Sequence, residues 1–172
     1  MHQDELRKLL TDFTAERLAL LQRHEAGARV VSHYDFNNVY QYVISREETH
    51  LTWLGPALTE LGLGLPAPGA EIPLPAVIQA GKKAPQTAVA GAYRRILEDD
   101  AQGLANFVTR WRPQVAGMTH ARHRTLLDVV LGESMEHSRL FAQAAAGFED
   151  VLGKRTAGAV RVGAVLPTRW QE

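Results

Sequence analysis

Apolar side chains recur three and four positions apart over most of this chain, the spacing that lines one face of an α-helix. The pattern predicts long helices over about 3–25, 29–61, 85–112 and 119–153. Local punctuation agrees with those limits. Gly27 closes the first helix, and Pro56, which lacks the amide its turn needs, kinks or restarts the second. Pro85 suits the first turn of the third helix and Pro113 stops it. Thr119 is the expected N-cap of the fourth and Gly153 its C-terminal stop. Only "VRVGAV", near the end of the chain, has any strand character, and it equally suits packing along a partner chain. The fold class is therefore all-α.

The connections arrange these helices. A few residues around Gly27 join the first two, and "PQVAGM" joins the last two, so each pair should form an antiparallel hairpin. Between the hairpins runs "GLGLPAPGAEIPLPAVIQAGKK", 22 residues with four prolines. A connection of this length usually has a job. Extended and stiffened by proline, even part of it spans ~40 Å at ~3.1 Å per residue. That is close to the length of a ~30-residue helix at 1.5 Å per residue. Two hairpins joined by one long Pro-rich crossover, about 62–84, give a four-helix bundle over 1–153; a flexible linker or lid is the alternative. An irregular tail follows over 154–172, where Trp170 is expected to dock.

Each predicted seam is apolar at its ends and polar near its middle. The first reads Leu6, Leu9, Phe13, Glu16, Leu20, and the second Tyr40, Val43, Glu47, His50, Leu54, Ala57, Leu61. The third reads Val89, Tyr93, Ile96, Asp100, Phe107, Trp111. The fourth reads Leu127, Val130, Ser134, His137, Phe141, Ala144, Phe148, Val151. A buried ionisable group costs several kcal/mol unless it is paired or ligated. Acids and imidazoles at mid-seam on all four helices therefore point to divalent metal, and carboxylate with imidazole suits iron or manganese. Glu47 and His50, at i and i+3, project side by side and can reach one ion.

In this arrangement the sequence resembles the ferritin-like di-iron carboxylate superfamily, whose pattern is a Glu and then Glu-x-x-His, repeated on the second pair of helices. "TAERLAL" supplies Glu16, "EETH" supplies Glu47 and His50, "EDDAQ" supplies Asp100, and "ESMEHSRL" supplies His137. The resemblance covers roughly residues 4–152. It implies a pair of Fe or Mn ions, with Glu47 and either Glu133 or Asp100 bridging, His50 and His137 each on one ion, and Glu16 and Asp100 terminal. It also implies oxygen- or peroxide-dependent oxidation. The chain departs from the pattern at Ser134, where the family has glutamate; Glu133, with Gly132 beside it to permit a π-bulge, is the expected stand-in. A two-ion site with a reshuffled ligand, a one-ion site near Glu47 and His50, and a metal-free bundle serving as a dimerisation or interaction module all remain open.

Composition narrows the classes further. Lys+Arg and Asp+Glu are 19 each, and a balanced charge argues against nucleic-acid binding. The absence of cysteine excludes thiolate zinc sites, disulfides and cysteine nucleophiles. No apolar run approaches the ~20 residues of a membrane span, and "MHQDELRKLL" lacks the apolar core of a signal peptide. The expectation is a cytoplasmic protein that self-associates, as a homodimer or higher homo-oligomer. His120 and His123 read as a capped, solvated helix start, and Tyr40, Tyr42 and Tyr93 as core residues with satisfied hydroxyls.

Overall fold

The computed structural model describes residues 3–75, 86–148 and 150–154. It holds α1 (Gln3–Val30), α2 (Tyr34–Thr59), α3 (Gln86–Ala116), α4 (Ala121–Ala145) and the single turn α5 (Val151–Lys154). Among the described residues there is no strand. The four long helices pack on one another, α3 most extensively on α4 and α1 on α2. Pro85, Trp170 and "VRVGAV" lie outside the described residues.

Helix ends differ from the sequence expectation for local reasons. α1 runs past Gly27 to Val30, because Gly27 marks a close approach and not a stop. A Cβ there would lie 2.8 Å from the Tyr40 ring. α3 continues one turn beyond Pro113, which forfeits one backbone bond while buried Val115 and Met118 anchor the turn. The N-cap of α4 is His120, not Thr119; its ring accepts from the His123 amide. α4 ends at Ala145, well before Gly153. Gly147, at φ 86°, takes the left-handed conformation, with bonds from its own amide to Ala144 and from Phe148 to Gln143. This early stop leaves Phe148 half exposed instead of on the seam. α2 passes through Pro56 and closes the same way at Gly62, whose φ is 73°.

Long-range bonds fix how the elements lie. The Arg7 guanidinium donates to the Leu61 carbonyl at 2.7 and 3.0 Å, so α2 ends where α1 begins. The chain then returns beside α1: Gly69 donates to Ala15 at 2.7 Å, and Arg23 donates to Pro73 at 3.0 Å. Ser32 and Tyr93 share a hydrogen bond at 2.9 Å, which puts the start of α3 at the α1–α2 turn. Arg122 pairs with Glu60 at 2.8 Å, which puts the start of α4 at the end of α2.

The apolar core is one contiguous cluster with a belt of buried polar residues set into it. Phe13, Phe107 and Trp111 pack together there, with ring centroids 4.9 and 5.3 Å from Phe13. Tyr40 and Phe141 lie 4.8 Å apart. The buried polar residues Arg17, His24, Glu47, His50, Ser134 and His137 form the belt.

Candidate functional site

The belt is built from three helices. On α1 the fully buried positions follow Leu10, Phe13, Arg17, Leu20 and His24, alternating three and four apart. On α2 the same spacing buries Val43, Glu47, His50 and Leu54, and on α4 Val130, Ser134, His137 and Phe141. α3 turns Leu97 and Leu104 inward, so the fourth wall is apolar.

Glu47 is the anion at the centre. Its Oε1 accepts from Arg17 Nη2 at 2.6 Å, and His24 Nδ1 donates to both carboxylate oxygens at 2.9 Å. Burial alone would raise the Glu47 pKa, but Arg17, His24 and His137 together bring it down to about 2. Arg17 Nη1 reaches Ser134 Oγ at 3.3 Å, while the Ser134 hydroxyl donates its own proton to the Val130 carbonyl at 2.7 Å. The serine lone pairs are thus left for the guanidinium. Burial lowers the Arg17 pKa, yet a guanidinium stays charged at any pH the fold meets.

A second pair flanks the first. Glu133 takes a bidentate bond from Arg46, at 2.7 and 3.0 Å, and His50 Nε2 donates to it at 2.9 Å. Burial works to raise the Glu133 pKa, but the Arg46 and His50 hydrogen bonds bring it to about 2. Glu133 reaches His50 from an undistorted α-helix, without the expected π-bulge at Gly132. His137 lies beside His50, with ring centroids 6.2 Å apart, and Tyr42 meets it edge-on at 5.9 Å. Burial first, and Arg17 second, push His50 down to about 4 and His137 to about 3, so both are neutral near pH 7.

Several imidazole nitrogens in this centre have no protein partner. Both nitrogens of His137, Nδ1 of His50 and Nε2 of His24 are buried and unbonded. With Nε2 of His50 donating to Glu133, the free Nδ1 of that neutral ring carries a lone pair.

Of the six candidate ligands, Glu47, His50, Glu133 and His137 surround this centre, and Glu16 and Asp100 do not. Glu16 faces α3, where its Oε2 accepts from Trp111 Nε1 at 2.8 Å and Arg110 at 3.1 Å. Asp100 sits in a separate buried cluster, accepting from Arg23 Nε at 2.9 Å and from the Tyr40 hydroxyl. Burial outweighs these donors and raises its pKa. Placed so, the six side chains do not form a ligand set for two ions. Among the described residues no group of three or more His, Asp or Glu side chains is placed to share a metal. No described helix is long and apolar enough to cross a membrane.

Sequence reasoning missed Arg17 and His24. The signal was present in the spacing of Leu10, Arg17 and His24, seven apart. The seams through Glu16 and through Arg17 both use Leu6, Phe13 and Leu20, so apolar pattern alone does not separate them. No protein-family model, curated protein or solved structure matches this chain.

Proposed function

We propose that this chain is a ferritin-like four-helix bundle whose centre is held by its own guanidinium in place of metal, and that it acts as a self-associating interaction module. The observation that carries this reading is Arg17, fully buried and 2.6 Å from Glu47. It explains Ser134 as well, since a serine at the expected glutamate position gives the guanidinium an acceptor. A divalent ion here meets a permanent cation. At ~4 Å and an effective dielectric of ~20, each pair of like unit charges repels by about 4 kcal/mol. The carboxylates that iron or manganese prefer, Glu47 and Glu133, are already bonded to Arg17 and Arg46. The return of residues 60–75 along α1 favours the one-crossover arrangement of a ferritin-like bundle. The exposed large apolar side chains Tyr34, Leu65 and Val129, at 77%, 57% and 45%, lie on separate elements of the surface.

The unbonded nitrogens of His50 and His137 favour a second reading, a single ion held by these two rings and a turned Glu133. Iron or manganese there would supply oxygen- or peroxide-dependent oxidation. Elemental analysis of protein purified without chelator, then again after anaerobic Fe(II) and Mn(II) loading, separates the readings. The guanidinium reading expects no stoichiometric metal in either sample and a homodimer in sedimentation velocity. Stoichiometric iron or manganese that is lost in His137→Ala overturns it in favour of the second.

A further inference from the structure

We infer that His120 and His123 form a proton-operated clasp between the start of α4 and the end of α2, which holds while the pair carries at most one imidazolium and opens when both rings are charged. The inference goes beyond the reading above and does not depend on it.

Its first ground is the distance between the rings. Nδ1 of His120 and Nδ1 of His123 lie 2.7 Å apart, so one nitrogen carries a proton and the other accepts it through a lone pair. The His123 amide also donates to His120 Nδ1, at 3.4 Å, in the capping bond that starts α4. His120 is therefore the acceptor of both bonds, and the proton between the rings belongs to His123.

The second ground lies on the far side of His123. Its Nε2 is buried without a hydrogen-bond partner, 3.8 Å from Glu60 Oε2. Glu60 is the C-cap of α2 and bonds Arg122 at 2.8 Å, so this carboxylate already joins the two helices. A neutral His123 with its proton on Nδ1 turns a bare lone pair toward that carboxylate. One added proton fills Nε2, makes the contact attractive and leaves the bond between the rings intact. A second has to go to His120 Nδ1, where it removes the acceptor of both bonds and sets two cations side by side. His120 is exposed to solvent protons, whereas His123 is buried, unlike the solvated helix start expected from sequence.

The third ground is the surrounding charge. Burial, then His120, push His123 below its ordinary value; Glu60 works against them, Arg122 with them, and the Ala57 backbone against. Arg124 is turned away to the Met118 carbonyl, at 3.4 Å. Glu60 is one carboxylate and is shared with Arg122, so it offsets one imidazolium and not two. Opening the clasp loosens the end of the bundle near which Leu58 and Met118 are buried.

Two measurements on the full-length chain test this. Imidazole nitrogen NMR at pH 8 should find the His123 proton on Nδ1 and the His120 proton on Nε2. Urea denaturation then compares the native chain with His120→Asn at pH 7.5 and 5.5, since asparagine caps a helix equally well and does not titrate. Unfolded, the imidazole at position 120 takes its proton at about pH 6.5; folded, the clasp resists it, so acid favours unfolding of the native chain. Its folding constant should fall about tenfold relative to that of His120→Asn between the two pH values. A ratio that stays constant or moves the other way, or a His123 proton found on Nε2 at pH 8, overturns the inference.

Discussion

Arg17→Met isolates the central ion pair, because methionine keeps much of the volume and removes the charge. The structure sets the magnitude. Arg17 and Glu47 are both wholly buried, and breaking a buried pair by removing one partner costs about 3–5 kcal/mol, since the other charge is left uncompensated. Ser134 loses only one long bond, at 3.3 Å, and keeps its bond to Val130, so its share is small. Glu47→Gln alone leaves a buried guanidinium with a weaker acceptor and should also destabilise by several kcal/mol. The double variant removes both charges and should cost less than the sum of the singles by about 2–3 kcal/mol. Urea denaturation at pH 8, with unchanged m-values, measures all three. Additive single costs, or an Arg17→Met loss under about 1 kcal/mol at pH 8, would refute a central role for the pair.

Acid stability gives a further prediction. His50 and His137, near 6.5 when unfolded, are held at about 4 and about 3 when folded. Their contribution is complete above pH 6.5 and is lost as pH falls, with a slope of up to ~2.7 kcal/mol per pH unit between 6.5 and 4, twice that of one group. His137→Gln should roughly halve the slope; stability that is flat or rising on acidification contradicts the burial of these rings as neutral bases. Arg23→Met should cost less than Arg17→Met, about 1–3 kcal/mol, because burial already favours protonation of Asp100. It should also free residues 69–75, which limited proteolysis will show as faster cleavage there if the Arg23–Pro73 bond holds them. Gly27→Ala should destabilise by about 1–3 kcal/mol despite better helix propensity, since its Cβ would meet the Tyr40 ring at 2.8 Å. Restored stability in Gly27→Ala/Tyr40→Leu would locate the clash, and none would place it elsewhere.

The helices were legible because bundle helices bury a stripe, and a stripe has a period. Glu47, His50 and His137 fall on that period and are all wholly buried. Helix limits were less legible where tertiary packing decided them. Gly27 reads locally as a stop, but Tyr40, 13 positions away, makes it a contact. On α1 two registers share Leu6, Phe13 and Leu20, and a search for carboxylate ligands selects Glu16 over Arg17. Arginine at mid-seam reads as surface because its isolated burial is so unfavourable. Its anion is on another helix, and side-chain spacing within one helix carries no information about that partner. Asp100 was legible as buried, yet Arg23 and Tyr40, on α1 and α2, decide which cluster it joins.

The most direct test of the account is a crystal structure of the native chain grown anaerobically with Fe(II) and Mn(II), with anomalous differences collected above each metal edge. No anomalous peak is expected among Glu47, His50 and His137, with the Arg17 guanidinium hydrogen-bonded to the Glu47 carboxylate. An ordered peak bonded to either histidine, with the Arg17 side chain displaced from Glu47, would contradict it.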